Sequence, residues 1–390
     1  MSIKNTKTQR HRGTEARDSG SLFARLCASV SLCLCVLTLL TRDASSHETL
    51  TTTVLFDREI VRILDKHCVM CHAENGPAFP LETYEQTWLQ GRKVRSAIIA
   101  RHMPPWPAVP GYGQFANENS LTLRESQFLV SWVEGLGPRN SGTVFTNVVD
   151  AGKPRPAVRA TTHFGHWRLG EPGLTRELPP QTINPGETRQ VRTTTIDLGL
   201  TTDRRLRALE YMPGDHRVVR AAFFRIQETG QWIGSWTPWQ GFIEFPAGAA
   251  IRLPAGARVV AEVHYQPAKD RVVERGRLGL SFADKPTPSA ISDLVIDAKA
   301  GAGDRFRAET KLAADARAIA LRLEMASGVK SVEVSARRLD GGTDVLLFAK
   351  GFSQDWPTPY IFKEPVLLRR GTVLSVTAYG GPVKLTASRY

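Results

Sequence analysis

Cys68-Val69-Met70-Cys71-His72 has the residue types and the spacing of covalent haem attachment, C-x-x-C-H. Two thiols on one short turn can add to the two vinyl groups of a haem. The adjacent imidazole can then take the iron from the proximal side. Other uses of a C-x-x-C pair fit less well. A structural zinc site needs two further ligands, and no second Cys pair follows downstream. A redox dithiol needs a βαβ setting, and the flanking pattern does not supply one.

The other three of the five cysteines, Cys27, Cys33 and Cys35, lie in one apolar run over about Leu26 to Leu40. A basic leader with Lys4, Lys7, Arg10, Arg12, Arg17 and Arg25 precedes this run, and the small residues Ala44-Ser45-Ser46 follow it. The run is short for a membrane span, which takes about 20 apolar residues. The pattern is that of a secretory signal peptide over residues 1–46, with an uncleaved anchor as the alternative. Cleavage would leave only Cys68 and Cys71, so no disulfide framework is expected in an exported, periplasmic chain. It would also put His47 at the N-terminus, where its amine and ring form a copper-chelating pair. The formal charge of +13 falls to nine without the leader, which holds seven basic and three acidic residues. Lys and Arg are scattered rather than blocked, so nucleic acid is not an expected partner. A basic surface suits acidic redox partners or anionic envelope surfaces, and equally plain solubility.

Elements that would position the haem follow from periodicity over residues 47–140. Phe56 to His67 is spaced as a helix leading into the motif. Gly76, Pro77 and Pro80 break the chain, and Tyr84 to Ala100 regains helical spacing. Thr122-x-x-Glu125 is a capping box opening a helix with Phe128, Leu129, Trp132, Val133 and Leu136 on one side, ended by Gly135 and Gly137-Pro138. This is the layout of a small all-α class I cytochrome c domain. Met103, in Arg101-His102-Met103-Pro104-Pro105-Trp106, is the expected second axial ligand, a soft thioether on a loop stiffened by Pro-Pro. His102 and an open sixth position are the alternatives. Trp106 and Tyr112 are expected at the haem edge or in ordinary core packing.

Residues 141–160 read as a Gly-, Pro- and Arg-containing linker. Beyond it, period-two alternation predicts strands at Val259–Gln266, half-buried, and at Arg277–Phe282, Ala318–Leu323, Ser331–Arg337, Thr343–Phe348 and Val373–Tyr379. Turns such as Asp340-Gly341-Gly342 separate them. Many short strands at this spacing predict two tandem antiparallel β-sandwich domains, residues 161–290 and 291–390.

The mature chain resembles bacterial fusion proteins in which a C-x-x-C-H module precedes a copper type II, ascorbate-dependent monooxygenase-like region. That region is related to the peptidylglycine α-hydroxylating monooxygenases. The resemblance rests on Arg101-His102-Met103-Pro104-Pro105-Trp106, on Gly165-His166-Trp167-Arg168-Leu169-Gly170-Glu171-Pro172 and on Val263-His264-Tyr265-Gln266-Pro267. It implies two sandwiches carrying one copper each. One copper would take an adjacent His pair and His264; the other would take a His-x-His and a later Met. Only His264 is present. Arg220-Ala221 stand where the adjacent pair belongs, no histidine lies near Glu324-Met325-Ala326, and no methionine follows Met325. One residual ligand is too few for copper.

Three readings follow. The first is an exported electron carrier with haem c on Cys68 and Cys71, iron on His72 and Met103, and a degenerate β region that docks an unidentified redox partner or binds a small molecule. The second is a haem-linked copper monooxygenase with a rearranged site, for which His216, His264 and Glu262 are the candidates and His163 and His166 lie nearby in sequence. The third is a haem-based sensor or scaffold. Trp232, Trp236 and Trp239 crowd one loop, as a sugar-stacking surface or as packing. No membrane span is expected after removal of the leader.

Overall fold

The computed structural model describes residues 52–140, 165–285, 288–299, 301–353 and 355–390, all within one compact unit, Thr51–Tyr390. The leader with Cys27, Cys33 and Cys35, His47, the linker 141–160 and His163 lie outside the described residues. Strands far outweigh helices in the described chain and pair almost entirely antiparallel, and no described helix is long and apolar enough to cross a membrane.

The helices come first. A π-type turn, Phe56–Ile60, runs into α1, Val61–His67; α2 spans Tyr84–Ile99 and α3 Leu123–Glu134. Both longer helices open with a capping box, Thr83 with Gln86 and Thr122 with Glu125. In each, the N-cap hydroxyl accepts from an orphan amide and the third residue's side chain reaches back. Both end in a left-handed residue that is not glycine. Arg101 has φ +56°, with Arg101 N–H on Ile98 O and His102 N–H on Ala97 O, and Leu136 has φ +65°, with Gly137 N–H on Trp132 O. These bonds satisfy the last carbonyls, as a Schellman cap does, and turn the chain sharply. The helices share a core of Ile60, Leu64, Val69, Leu129 and Trp132. Trp132 packs on Phe56 and Tyr84, and its indole N–H donates to Pro138 O at 3.0 Å.

Two pairs of sheets follow, each pair around its own hydrophobic core. The first core lies between a sheet ordered Leu174–Glu177, Arg277–Phe282, Arg204–Met212, Ala249–Leu253, Ser289–Ala290 and one ordered Gln190–Asp197, Arg258–Tyr265, Val219–Ile226, Trp232–Trp236. The second lies between a sheet ordered Ser292–Ala298, Val383–Arg389, Ala316–Met325, Tyr360–Leu368 and one ordered Gly301–Ala302, Arg305–Lys311, Val373–Tyr379, Ser331–Arg337, Thr343–Lys350. The arrangement is sandwich-like.

Two expectations need correction. Arg258–Tyr265 is not half-buried: Val259, Ala261, Val263 and Tyr265 face the first core, while Val260 and His264 on the other face are buried too. That second face is turned towards other parts of the chain, with Glu262 in the field of Arg322 and Gln266 bonded to Pro77 O. Alternation reports which residues are polar, not what later covers them. Residues 106–117 also leave the helical core and join the second β unit. Ala108 bridges Ala349 and Phe115 bridges Phe362, which covers an edge strand in each of that unit's two sheets. Asn117 completes the junction, donating to Pro359 O at 2.7 Å and accepting from Ile361 N–H at 3.0 Å. Trp106 therefore packs on Phe115 and Tyr360, and Tyr112 on Phe348, within the second β unit.

Candidate functional site

The Cys68-to-His72 segment forms a tight turn on the end of α1. Cys68 N–H donates to Leu64 O at 2.8 Å, and Cys71 and His72 N–H both return to Cys68 O, at 3.0 and 2.9 Å. Val69, fully buried, anchors the turn in the helical core. Both thiols are free and half-buried. Desolvation pushes each up to about 12, so both stay protonated.

The loop after the motif orients the imidazole. His72 Nδ1 lies 2.8 Å from Phe79 O, and the Phe79 ring meets the imidazole edge-on at 4.7 Å. A carbonyl can only accept, so Nδ1 carries the proton and Nε2 keeps its lone pair. Burial lowers the His72 pKa against the raising effect of that carbonyl, which favours the neutral ring, the form that binds metals. The loop itself is fastened by Ala78 N–H on Cys71 O and Leu81 N–H on His72 O. Gly76 is required here, because a Cβ would stand 2.3 Å from Cys71 O. The donor set, two thiols and one tautomerically fixed imidazole in five residues, fits haem c.

Two contacts tie this turn to the rest of the chain. Glu125 of α3 accepts from Lys66 Nζ at 3.0 Å and lies 3.3 Å from His67 Nε2, while His67 Nδ1 meets Asn119 Oδ1 at 3.0 Å. The two residues just before Cys68 are thus held to the terminal helix. On the other side, Gln266 donates both to Pro77 O and to Arg217 O, joining the loop after His72 to the first β unit. Sequence reasoning missed Phe79, Asn119 and the role of Gln266. Phe79 acts through a main-chain carbonyl, which no residue type announces.

Met103 and His102 follow the left-handed Arg101, and both are exposed. Their amides both point to Ala97 O, at 3.4 and 2.8 Å, so the cap fixes where this dipeptide leaves α2.

The β-region histidines are dispersed. His264 Nε2 lies 3.0 Å from Glu262 Oε1 and its ring meets Phe223 at 5.6 Å. His216 lies against Trp236 instead, with burial lowering its pKa to about 4. His166 is exposed, and its motif is fastened by Arg168 and Leu169 N–H donating to the buried Glu210 carboxylate. No group of three His, Cys, Asp or Glu side chains close enough to hold a metal occurs among the described residues. Arg220 is buried. A resident guanidinium there opposes a metal cation. Trp232 and Trp236 are core residues, and Trp239 packs on Trp356 at 6.0 Å. They form no exposed aromatic platform.

No family model matches the chain. No curated protein matches it. Among solved structures it has weak likeness to the major capsid protein P2 of bacteriophage PM2, at 12% identity and TM-score 0.25, over 54% of this chain and 97% of that one. PNGF-II gives 11% and 0.24, over 55% and 65%, and the PBSX exported protein XepA gives 11% and 0.17, over 55% and 86%. Likeness at these scores carries no argument about the chain.

Proposed function

We propose that the mature chain is an exported, periplasmic monohaem c-type cytochrome that carries electrons. In this reading a small class I haem domain precedes two β-sandwich domains used for docking or ligand binding. The observation that carries it is the Cys68-to-His72 turn, with two free thiols and an imidazole whose Nδ1 is committed to Phe79 O. Haem c, when bound, supplies a one-electron iron couple.

Cys68 and Cys71 would hold that group through thioether bonds, and His72, through Nε2, and Met103 would bind its iron. The protein's own contribution is orientation. Phe79 O fixes the imidazole tautomer, Glu125 holds the end of α1, and Gln266 braces the loop. Copper has no part in this reading, because Arg220 replaces one ligand set and His264 is engaged with Glu262. The partner would be a second redox protein.

The test is an absorption spectrum and metal analysis of chain matured in cells that load c-type haem. Iron without copper is expected, with the weak far-red band of a ferric iron–thioether bond. Met103→Ala should keep the haem and lose that band. Ready carbon monoxide binding by the wild-type ferrous protein would refute Met103 ligation and favour a sensor. Protein without iron would refute the whole reading.

A further inference from the structure

We propose that Arg220, with Arg189, Thr237 and Trp239, forms a binding site for a small carboxylate anion, which the Asp355 side chain occupies in the resting chain. The site lies where the two β units meet and is independent of the haem reading. Arg220 sits in a β-bulge: Val219 pairs with Tyr265 and Ala221 with His264, which leaves Arg220 as the extra residue. Bulges re-aim side chains and gather beside functional sites. This one puts the guanidinium 5.7 Å from the Trp356 ring centre, with the side chain only 3% exposed.

The charge there is under-compensated. Arg220 Nη1 lies 3.3 Å from Asp355 Oδ1, and Arg189 Nη1 bonds the other oxygen of the same carboxylate. Arg220 also donates to Asp355 O. Two guanidiniums thus share one acid, and burial lowers the Arg220 pKa. A buried cation without full pairing is costly, so an added anion is favoured there.

The spare hydrogen-bonding groups agree in sign. Arg220 Nε, Trp239 Nε1 and Thr237 Oγ1 are buried and make no hydrogen bond among the described residues. Thr237 and Trp239 directly follow Trp236, which pairs with Ala222 two residues from Arg220, and Trp239 stands 6.0 Å from Trp356, the ring that the Arg220 guanidinium lies over. Arg and Trp side chains only donate, and the Thr hydroxyl can donate too, so the set suits an acceptor. A carboxylate can match the planar fork of arginine, whereas Asp355 meets Arg220 through Nη1 alone and leaves Nε without a partner among the described residues. The Asp355 side chain is 42% exposed, so it can swing out to solvent. A ligand whose flat apolar part lies on tryptophan gains contact that Asp355 cannot offer.

Benzoate, followed by quenching of tryptophan fluorescence in the full chain, is the probe, with sulfate as the anion control. Asp355 competes from a tether at an effective concentration on the order of millimolar. Asp355→Asn should therefore tighten benzoate binding about tenfold or more. Arg220→Gln should weaken it by a similar factor, with circular dichroism confirming the fold. Arg220→Lys keeps the charge without the fork and should also weaken binding. The proposal is overturned if Asp355→Asn binds no tighter than wild type, if folded Arg220→Gln binds equally well, or if sulfate binds as tightly as benzoate. Should Arg220→Gln fail to fold, the Asp355→Asn comparison decides alone.

Discussion

Glu125 joins three structural tasks, and two substitutions separate them. Its carboxylate closes the α3 capping box on Thr122 N–H at 2.8 Å, bonds Lys66 at 3.0 Å and lies near His67. Burial would raise its pKa, but the Thr122 amide, Lys66 and the Thr122 hydroxyl outweigh it and bring the pKa down to about 2. Glu125→Gln keeps an acceptor for the cap and removes the charge. The Lys66 side chain is 62% exposed, so solvent screens that pair to about 0.5 kcal/mol. A negative charge at a helix N-terminus adds about 0.5 kcal/mol, so the loss should be about 1 kcal/mol. Glu125→Ala also removes the cap and should lose about 2 kcal/mol. The assay is native-state hydrogen exchange of α3 amides, corrected for intrinsic rates, which reads the local opening free energy. A carboxyl with a depressed folded pKa stabilises fully above its ordinary 4.5, and that contribution fades as pH falls towards 2. The wild type and Glu125→Gln should therefore converge only below pH 2, where the folded carboxyl is itself protonated. A charge effect that persists undiminished well below pH 2, or equal protection in wild type and Glu125→Ala at neutral pH, would refute this reasoning.

Trp132→Ala empties a fully buried site and removes the bond to Pro138 O, so it should cost about 4 kcal/mol. Circular dichroism should show early loss of helix with the β signal retained; unchanged helix melting would contradict it. Gln266→Ala removes both bonds that brace the loop after His72. Limited proteolysis of the haem-free chain should then cut within residues 73–81 faster than in wild type, and equal rates would discount the brace.

Local pattern carried much of the fold. The strands Ser331–Arg337, Val373–Tyr379 and Arg277–Phe282 have the limits that sequence alternation sets, and in Ser331–Arg337 burial keeps the period of two from end to end. The Thr122-x-x-Glu125 cap was readable for the same reason, since its chemistry lies within four residues. Contacts set by tertiary approach were not readable. Residues 106–117 carry no sign that they will pair with Ala349 and Phe362, more than 200 positions away. Arg220 registered only as a missing histidine; its bulge comes from a register shift against Arg258–Tyr265. In the candidate site, the C-x-x-C-H spacing was visible at once. The carbonyl of Phe79 and the Gln266 brace arise only from the folded chain.

The most direct measurement is the intact mass of the mature chain after denaturation, made in cells equipped to load c-type haem. One polypeptide heavier by a single covalently bound haem is expected, with the addition abolished when Cys68 and Cys71 are both changed to Ser. A colourless product at the bare polypeptide mass would contradict it.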